Sequence, residues 1–405
     1  MRQSRENTGT CSELPKAALK EHVWSFVAEV DFAAWEQVRD ASDVFMDLRL
    51  LQAIETSMSE TCRFRYVLYR DTSGEPVAIA VLCVFGIDVG VLVNDSWFRW
   101  FLASLRRISP KLVQYRILFC GLPLSACQSS LRFASGADHE TIANLFDQTM
   151  RRVARQDHAR VIILKEFADD ELPQLKTLET LGYRKAESLP THLVHLKCDS
   201  FDGYVASVGS KRRTNIRHSL KKFAASGIRI VTTSDIAMIE RLFSPETYKL
   251  YESVLSRSAT KLEHLPREFF LEVARQIPDC CEFSFAVEGE RVLAFSMSLW
   301  AGHEYRGIYL GYDEVINPAV DLYFNTVFQI IANAAIRGAT VVELGQNSHY
   351  FKRTKLGAVQ SRRSIYVRGV RSYTNWAIGL LFSQLFPPHP LAGEEKSSHT
   401  IPSHV

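Results

Sequence analysis

The segment VVELGQNSHYFKRTKLG (341–357) sets a carboxylate, an aromatic hydroxyl and several cations directly after an apolar run. Val341, Val342 and Leu344 read as a buried strand, and Gly345 lets the backbone open or approach a ligand. Glu343 stands near the C-terminal end of that strand, where open α/β sheets bind their ligands. Tyr350, Lys352, Arg353 and Lys355 follow in a loop. Such a cluster suits an acyl carbonyl and an anionic carrier. Plainer readings stand beside it: Glu343 as an ion-pair partner of Lys352 or Arg353, Tyr350 as a half-buried aromatic, Lys352 as a solvated lysine.

A second charged segment, KRRTNIRHSLKK (211–222), carries six cations and no acid. As a helix it buries Ile216, Leu220 and Phe223 on one face and lines Arg213, Arg217 and Lys221 along an adjacent stripe. Like charges at that spacing repel by about 0.2–0.5 kcal/mol per pair, a cost an anion would relieve. Arginine suits phosphate through its bidentate fork. The stripe is therefore a solvated face, a grip on a phosphate-bearing donor or acceptor, or a nucleic-acid contact. Its shortness argues against DNA, because few side chains remain to read base edges.

The third segment is GIYLGYDEVINPAVDLYF (307–324). Ile308, Tyr309 and Leu310 alternate along a strand, Gly311 breaks it, and Asn317-Pro318 opens a helix. Free N–H groups near Ala319 and Val320 are expected to hold an anion, although Asp321 competes for them. His218 and His349 are lesser candidates for a base. No cysteine stands beside a histidine in a loop, and Ser210 and Ser219 lack an activating base.

Composition excludes several classes. Of the 405 residues, 46% are hydrophobic and 23% charged, so two domains with real cores are possible. A net charge of only +3 carries no global polyanion signature. Eight cysteines form neither a C-x-x-C nor a zinc spacing. Together with a polar start at residues 1–22, this points to free thiols, no metal and a reducing, cytoplasmic compartment. VAIAVLCVFGIDVGVLV (77–93) is interrupted by Gly86, Asp88 and Gly90 and reads as a buried hairpin rather than a membrane span.

The elements that must position these residues occur twice. FSFAVEGERVLAFSMSLW (283–300) is a hairpin; EYRGIYLG (304–311) is a strand, 319–337 a helix and TVVELGQ (340–346) a strand. RYVLYRDTSGEPVAIAVLCVF (65–85), YRILFCG (115–121), residues 139–156 and RVIILKEF (160–167) repeat that order. Residues 204–225 read as one helix and 245–278 as mostly helical. The expected fold is α/β (α+β), with two tandem units, each a mixed twisted sheet flanked by helices. Residues 1–22 form a tail, 23–199 and 200–372 the two units, and 373–405 a final helix and polar tail.

Hairpin, strand, helix, strand is the heart of the GNAT acyltransferase fold, and residues from about 200 to 370 resemble its FemABX-like branch. The likeness extends to the acetyltransferase-like domain of cell-envelope and polysaccharide biosynthesis proteins. The residues carrying it are RRTNIR (212–217), LGYDEVINPAVDLYF (310–324) and ELGQNSHYFK (343–352). The N-terminal unit resembles the degenerate first copy of such tandem proteins. The Gly-rich pyrophosphate loop usual in GNAT enzymes is absent, and Asn317-Pro318-Ala319 stands in its place.

The resemblance implies transfer of an acyl group to an amine of a small-molecule or cell-envelope precursor. The donor would be acyl-CoA or another acyl thioester, such as a carrier protein, or an aminoacyl-tRNA as in FemABX relatives. Glu343 would be the base, Lys352 would neutralise developing charge, and Tyr350 would donate a late proton. Arg213 and Arg217, with Tyr309, Asn317 and Ala319, would hold substrate or cofactor. A non-catalytic binding protein and an RNA binder are the competing classes. The final helix, 373–386, with Trp376, Leu380, Phe382 and Phe386, is a candidate for peripheral membrane contact.

Overall fold

Gly289 takes a positive φ of 60°, so that Gly289-Glu290 can close a two-residue turn between strands β9 (Cys281–Glu288) and β10 (Arg291–Ala301). In this computed structural model, which describes residues 19–88, 114–124, 127–257 and 264–388, the turn starts one half of a single sheet. The half continues through β11 (Glu304–Tyr312), a helix (Leu322–Ile336) and β12 (Val341–Glu343), with β8 (Arg229–Thr233) at its outer edge. The other half repeats the order: β1 (Lys20–Trp24), the β2 (Arg63–Arg70) and β3 (Pro76–Asp88) hairpin, β4 (Gln114–Cys120), a helix (His139–Gln156) and β6 (Val161–Phe167). The short β5 (Leu131–Phe133) pairs with β3. Each crossover joins parallel strands, β4 to β6 and β11 to β12. The copies share small detail. Both crossover helices end in a left-handed residue, His158 or Gly338, followed by a bond from Ala159 N to Ala154 O (2.7 Å) or from Ala339 N to Ala334 O (3.0 Å).

The last strand of each copy crosses to the other. After Leu181-Gly182, β7 (Arg184–His195) pairs with β12; after Leu356-Gly357, β13 (Val359–Gly369) pairs with β6. Strands β7 and β13 also pair antiparallel with each other, completing the order β1-β2-β3-β4-β6-β13-β7-β12-β11-β10-β9-β8. The division expected after residue 199 thus separates two stretches of chain that share one continuous sheet.

Alternation along the strands sends side chains to two cores. On one face, Phe283, Phe285, Phe295, Tyr66 and Leu68 pack under helices Leu48–Met58 and Arg267–Gln276, which meet across the two halves. On the other face, helix His139–Gln156 covers Val67, Leu82 and Ile162, and helix Leu322–Ile336 covers Tyr305, Val342 and Val194. Truncating a fully buried Phe such as Phe270 to Ala would cost about 3–5 kcal/mol.

Some local expectations are corrected. Residues 204–225 form two helices, Phe201–Ser207 and Ser210–Ala224, parted at Val208-Gly209, where the backbone is extended. The helix expected over 319–337 is a short turn, Asn317–Val320, and then Leu322–Ile336, because Asp321 adopts a left-handed φ of 54°. Gly86 does not break its run: β3 is continuous to Asp88, and residues 89–93 of the expected hairpin lie outside the described residues. Of the tail expected over residues 1–22, residues 1–18 lie outside the described residues, and Lys20 to His22 belong to β1. Residues 389–405 also lie outside the described residues. Among the described residues, no helix is long and apolar enough to cross a membrane, and no group of three His, Cys, Asp or Glu side chains is placed to hold a metal ion.

Candidate active site

Strand β12 pairs with β11 only from Glu304–Val341 to Arg306–Glu343, while β11 runs on to Tyr312 paired with β10. The two parallel strands therefore part at Arg306 and Glu343. Parting leaves backbone groups to be satisfied by other partners. Leu344 N donates to His192 O at 2.9 Å, and Gly345, at a φ of 73°, turns its carbonyl toward His192 N at 3.2 Å. Lys352 Nζ then donates to Leu344 O at 2.5 Å and Gly345 O at 3.4 Å.

Glu343 is buried on the face that carries Phe45. Its Oε1 accepts from Thr191 Oγ1 at 2.6 Å, and its Oε2 is ion-paired with Arg306, which also holds Glu304 and lies over the Phe45 ring. Burial works against the Arg306 charge, but Glu343 and Glu304 outweigh it and raise its pKa. Cys127, buried with a left-handed φ of 53°, adjoins this group. Burial pushes its thiol pKa well above the ordinary value, so it is held as a thiol. Lys352 is buried too, and loss of water lowers its pKa to about 8.

Behind these, His192 is fully buried, with Nδ1 2.9 Å from Gly345 O and Nε2 3.2 Å from His349 Nδ1. Burial lowers the His192 pKa to about 4; Gly345 opposes the shift, while Lys352, His349 and Arg353 add to it.

The basic helix reaches this cluster through a residue other than those expected. Arg212 Nε donates to Thr354 O at 3.1 Å and its Nη2 to Arg353 O at 3.3 Å. Gly357 makes room for it, since a Cβ there would lie 3.1 Å from the guanidinium. Arg213 turns away: it donates to Val205 O (3.2 Å), Ala206 O (2.7 Å) and Val208 O (3.1 Å), capping helix Phe201–Ser207. Arg217 is exposed, as are Lys211, His218 and Lys221.

The remaining candidates scatter. Tyr350 is 77% exposed beside the buried Lys352. Tyr309 packs against Tyr251, Phe269 and Phe270, in the core beneath the helices on that face. Of the donors expected free near Ala319 and Val320, Ala319 N bonds Ile316 O at 3.0 Å; at Asn317 the N–H bonds Asp313 O at 3.0 Å and Oδ1 accepts from Tyr323 N at 2.8 Å. Lys222 closes the same turn through Pro318 O at 2.6 Å and Asp321 at 2.8 Å. The physical reason is the break at Asp321, which makes the turn a cap for the following helix.

Sequence reading passed over Thr191, His192, Arg306 and Cys127. The available signal was polar side chains inside apolar strands, Thr191 and His192 in THLVHLK and Arg306 in EYRGIYLG. A cavity of about 390 Å³ lies apart from the cluster, between the basic helix (Leu220, Phe223), Ile230 of β8 and the helix carrying Phe328 and Ala332. It is mainly apolar.

Residues 26–366 match the FemAB-like family model, described as peptidoglycan biosynthesis and recognition. The structure is similar to that of FemX, with a TM-score of 0.53 and 11% identity over 86% of this chain and 96% of that one. It is also similar to a tandem GNAT protein from the clavulanic acid biosynthesis pathway, at 0.50 and 12% identity over 87% and 99% of the two chains. No curated protein sequence matches this chain. At these identities the likeness is one of fold, and the fold is the tandem GNAT-type arrangement expected from the repeat.

Proposed function

Because this chain belongs to the FemAB-like family, we propose that it transfers an acyl or aminoacyl group to an amine of a cell-envelope precursor. The observation that carries this reading is the parting of β11 from β12 with Lys352 buried at the opening. A buried ammonium aimed at strand-end carbonyls is preorganised to stabilise negative charge as it develops on an acyl oxygen. Tyr350, exposed next to it, would donate the late proton. Arg217 and Lys221 would receive an anionic group of the donor or acceptor. Glu343 would act less as the base first expected than as the anchor of the opening, since protonating it would break its pairing with Arg306.

Two donors fit: an acyl thioester, including acyl-CoA or a carrier protein, and an aminoacyl-tRNA. The exposed cations Lys211, Arg217 and Lys221 suit either, because both donors carry phosphate. The deciding experiment is transfer from acyl-CoA, acyl-carrier protein and aminoacyl-tRNA to peptidoglycan precursor amines, with product detected by mass. Thermal stability with each donor gives a parallel readout, since a ligand that binds the folded chain raises Tm. Product from one donor identifies the carrier. Binding without product from any of them would leave a binding protein of this fold.

A further inference from the structure

The turn that carries Lys352 is closed from outside itself. Residues Lys352–Leu356 form one wide, π-type turn, in which Gly357 N reaches back to Arg353 O at 3.2 Å and Ala358 N to Lys352 O at 3.0 Å. The last carbonyls of a helical turn find no partner within it. Here they are taken by side chains that stand 141 to 152 residues earlier in the chain. Arg212 forks onto Arg353 O and Thr354 O, and Tyr204 OH donates to Leu356 O at 2.8 Å. Tyr204 is buried, and loss of water raises its pKa, so the phenol keeps its hydrogen. Gly357 takes a left-handed φ of 75°, and a Cβ there would press on Arg212 Nη1 at 3.1 Å. Lys352 is therefore held at both ends. Strand-end carbonyls take its ammonium, and Arg212 with Tyr204 fixes the turn to which its backbone belongs.

We propose that Arg212 is a positioning residue: it fixes the turn Lys352–Leu356 and thereby sets the Lys352 ammonium at the parting of β11 and β12. Its part in the reaction rests on the transferase reading above. Arg212 is thus set apart from the exposed cations Arg217 and Lys221 of the same helix, which are left to meet an anionic ligand. Lysine cannot replace it, because one ammonium has no planar fork to span two carbonyls in a fixed direction. The groups that act on Lys352 from across the opening are Glu343 and Cys127; both favour its charge, and burial opposes it more strongly.

The test is made on the full chain, first without substrate. Trace acetic anhydride labels Lys352 in proportion to its uncharged amine, and mass spectrometry of its peptide over pH 6–11 gives its titration. In the wild type the midpoint should lie near 8. In Arg212→Gln the turn loosens, water reaches the ammonium, and the midpoint should rise toward 10.5. Arg212→Lys should fall between the two. Gly357→Ala should reproduce the shift from the other side of the contact. Arg213→Gln is the control for stability alone, since it removes three hydrogen bonds from the same helix without touching the turn, and it should leave the midpoint in place. With an active donor, Arg212→Gln should lose about 10–100-fold in kcat, as for a misplaced catalytic group, with KM little changed and the alkaline limb moved upward. An unmoved Lys352 midpoint in both Arg212→Gln and Gly357→Ala overturns the proposal, as does an equal shift in Arg213→Gln. Absence of transfer from every donor overturns the transferase reading alone, and the labelling result still decides the place of Arg212.

Discussion

Gln346 Nε2 donates to Glu166 Oε2 at 2.9 Å, and the two residues hold corresponding positions in the duplicated halves, each eight residues beyond its helix-ending left-handed residue. The bond ties the ends of the two copies across the β7–β13 pair, with Ser188 of β7 donating to Glu166 Oε1 at 3.0 Å. Burial raises the Glu166 pKa, which fits a carboxyl enclosed between two halves of a sheet. The same correspondence exposes an asymmetry. Where the C-terminal half has Glu343 and Gly345, the N-terminal half has Ile163 and Lys165. Lys165 Nζ is bound to Leu124 O at 3.0 Å and its chain lies 2.6 Å from where a Gly121 Cβ would sit, while β4 and β6 stay paired through Cys120 and Leu164. This supports placing chemistry in the C-terminal half.

The Lys352 ammonium gives activity an alkaline limit. If its charge stabilises the acyl oxygen, the rate should fall as pH rises through about 8, and Lys352→Arg should move that limb upward. Lys352→Met should lose about 10²–10³ in kcat, as for removal of one oxyanion donor. The stability sign is opposite: the unfolded chain holds this proton up to about 10.5, so folding becomes more favourable as pH climbs from about 8 to 10.5. Steady-state rates and urea unfolding over pH 6–10 check both parts. An unchanged alkaline limb in Lys352→Arg would remove the lysine from the mechanism.

Arg213 and Arg217 should separate cleanly. Arg213→Ala strips a helix end of three hydrogen bonds and should cost about 1–2 kcal/mol of stability. Arg217→Ala, on an exposed side chain, should change stability by less than about 0.5 kcal/mol while weakening donor or acceptor binding. Denaturation midpoints and KM for each variant decide. The reverse pattern would show that the helix grips its ligand through Arg213.

His192 makes the fold acid-sensitive. Its pKa is lowered from 6.5 to about 4, so between those values the unfolded chain takes a proton that the folded chain refuses. Stability is full above 6.5 and declines as pH falls toward 4, by at most about 3 kcal/mol from this group. His192→Asn should flatten that part of the curve. Parallel slopes for wild type and variant between pH 4 and 7 would show that the imidazole is hydrated.

The helix Ser372–Leu385 docks through buried Ile378 and through Asn375, which accepts from Gly369 N at 3.0 Å and donates to Gly182 O at 3.3 Å. Tyr373, Trp376 and Leu380, at 65%, 67% and 59% exposure, form an outward stripe. We expect this stripe to rest on a membrane surface bearing a lipid-linked acceptor. Trp376→Ser with Leu380→Ser should keep Tm and reduce flotation with anionic vesicles. Equal flotation of the variant and the wild type would end the proposal.

Amino-acid order alone determined the repeated hairpin, strand, helix and strand, because alternation, helical periodicity and turn glycines act over a few residues. It also marked 341–357 as the segment where charge follows a buried strand. Tertiary structure decided the rest. Glu343 finds Thr191 and Arg306, and Glu166 finds Gln346, across stretches of chain far too long for local pattern to encode. Arg212, Arg213 and Arg217 read alike on a helical wheel. Which one bridges, which one caps and which one meets solvent depends on where open carbonyls lie: those of Arg353 and Thr354, distant in the chain, for Arg212, and those at the end of the preceding helix for Arg213.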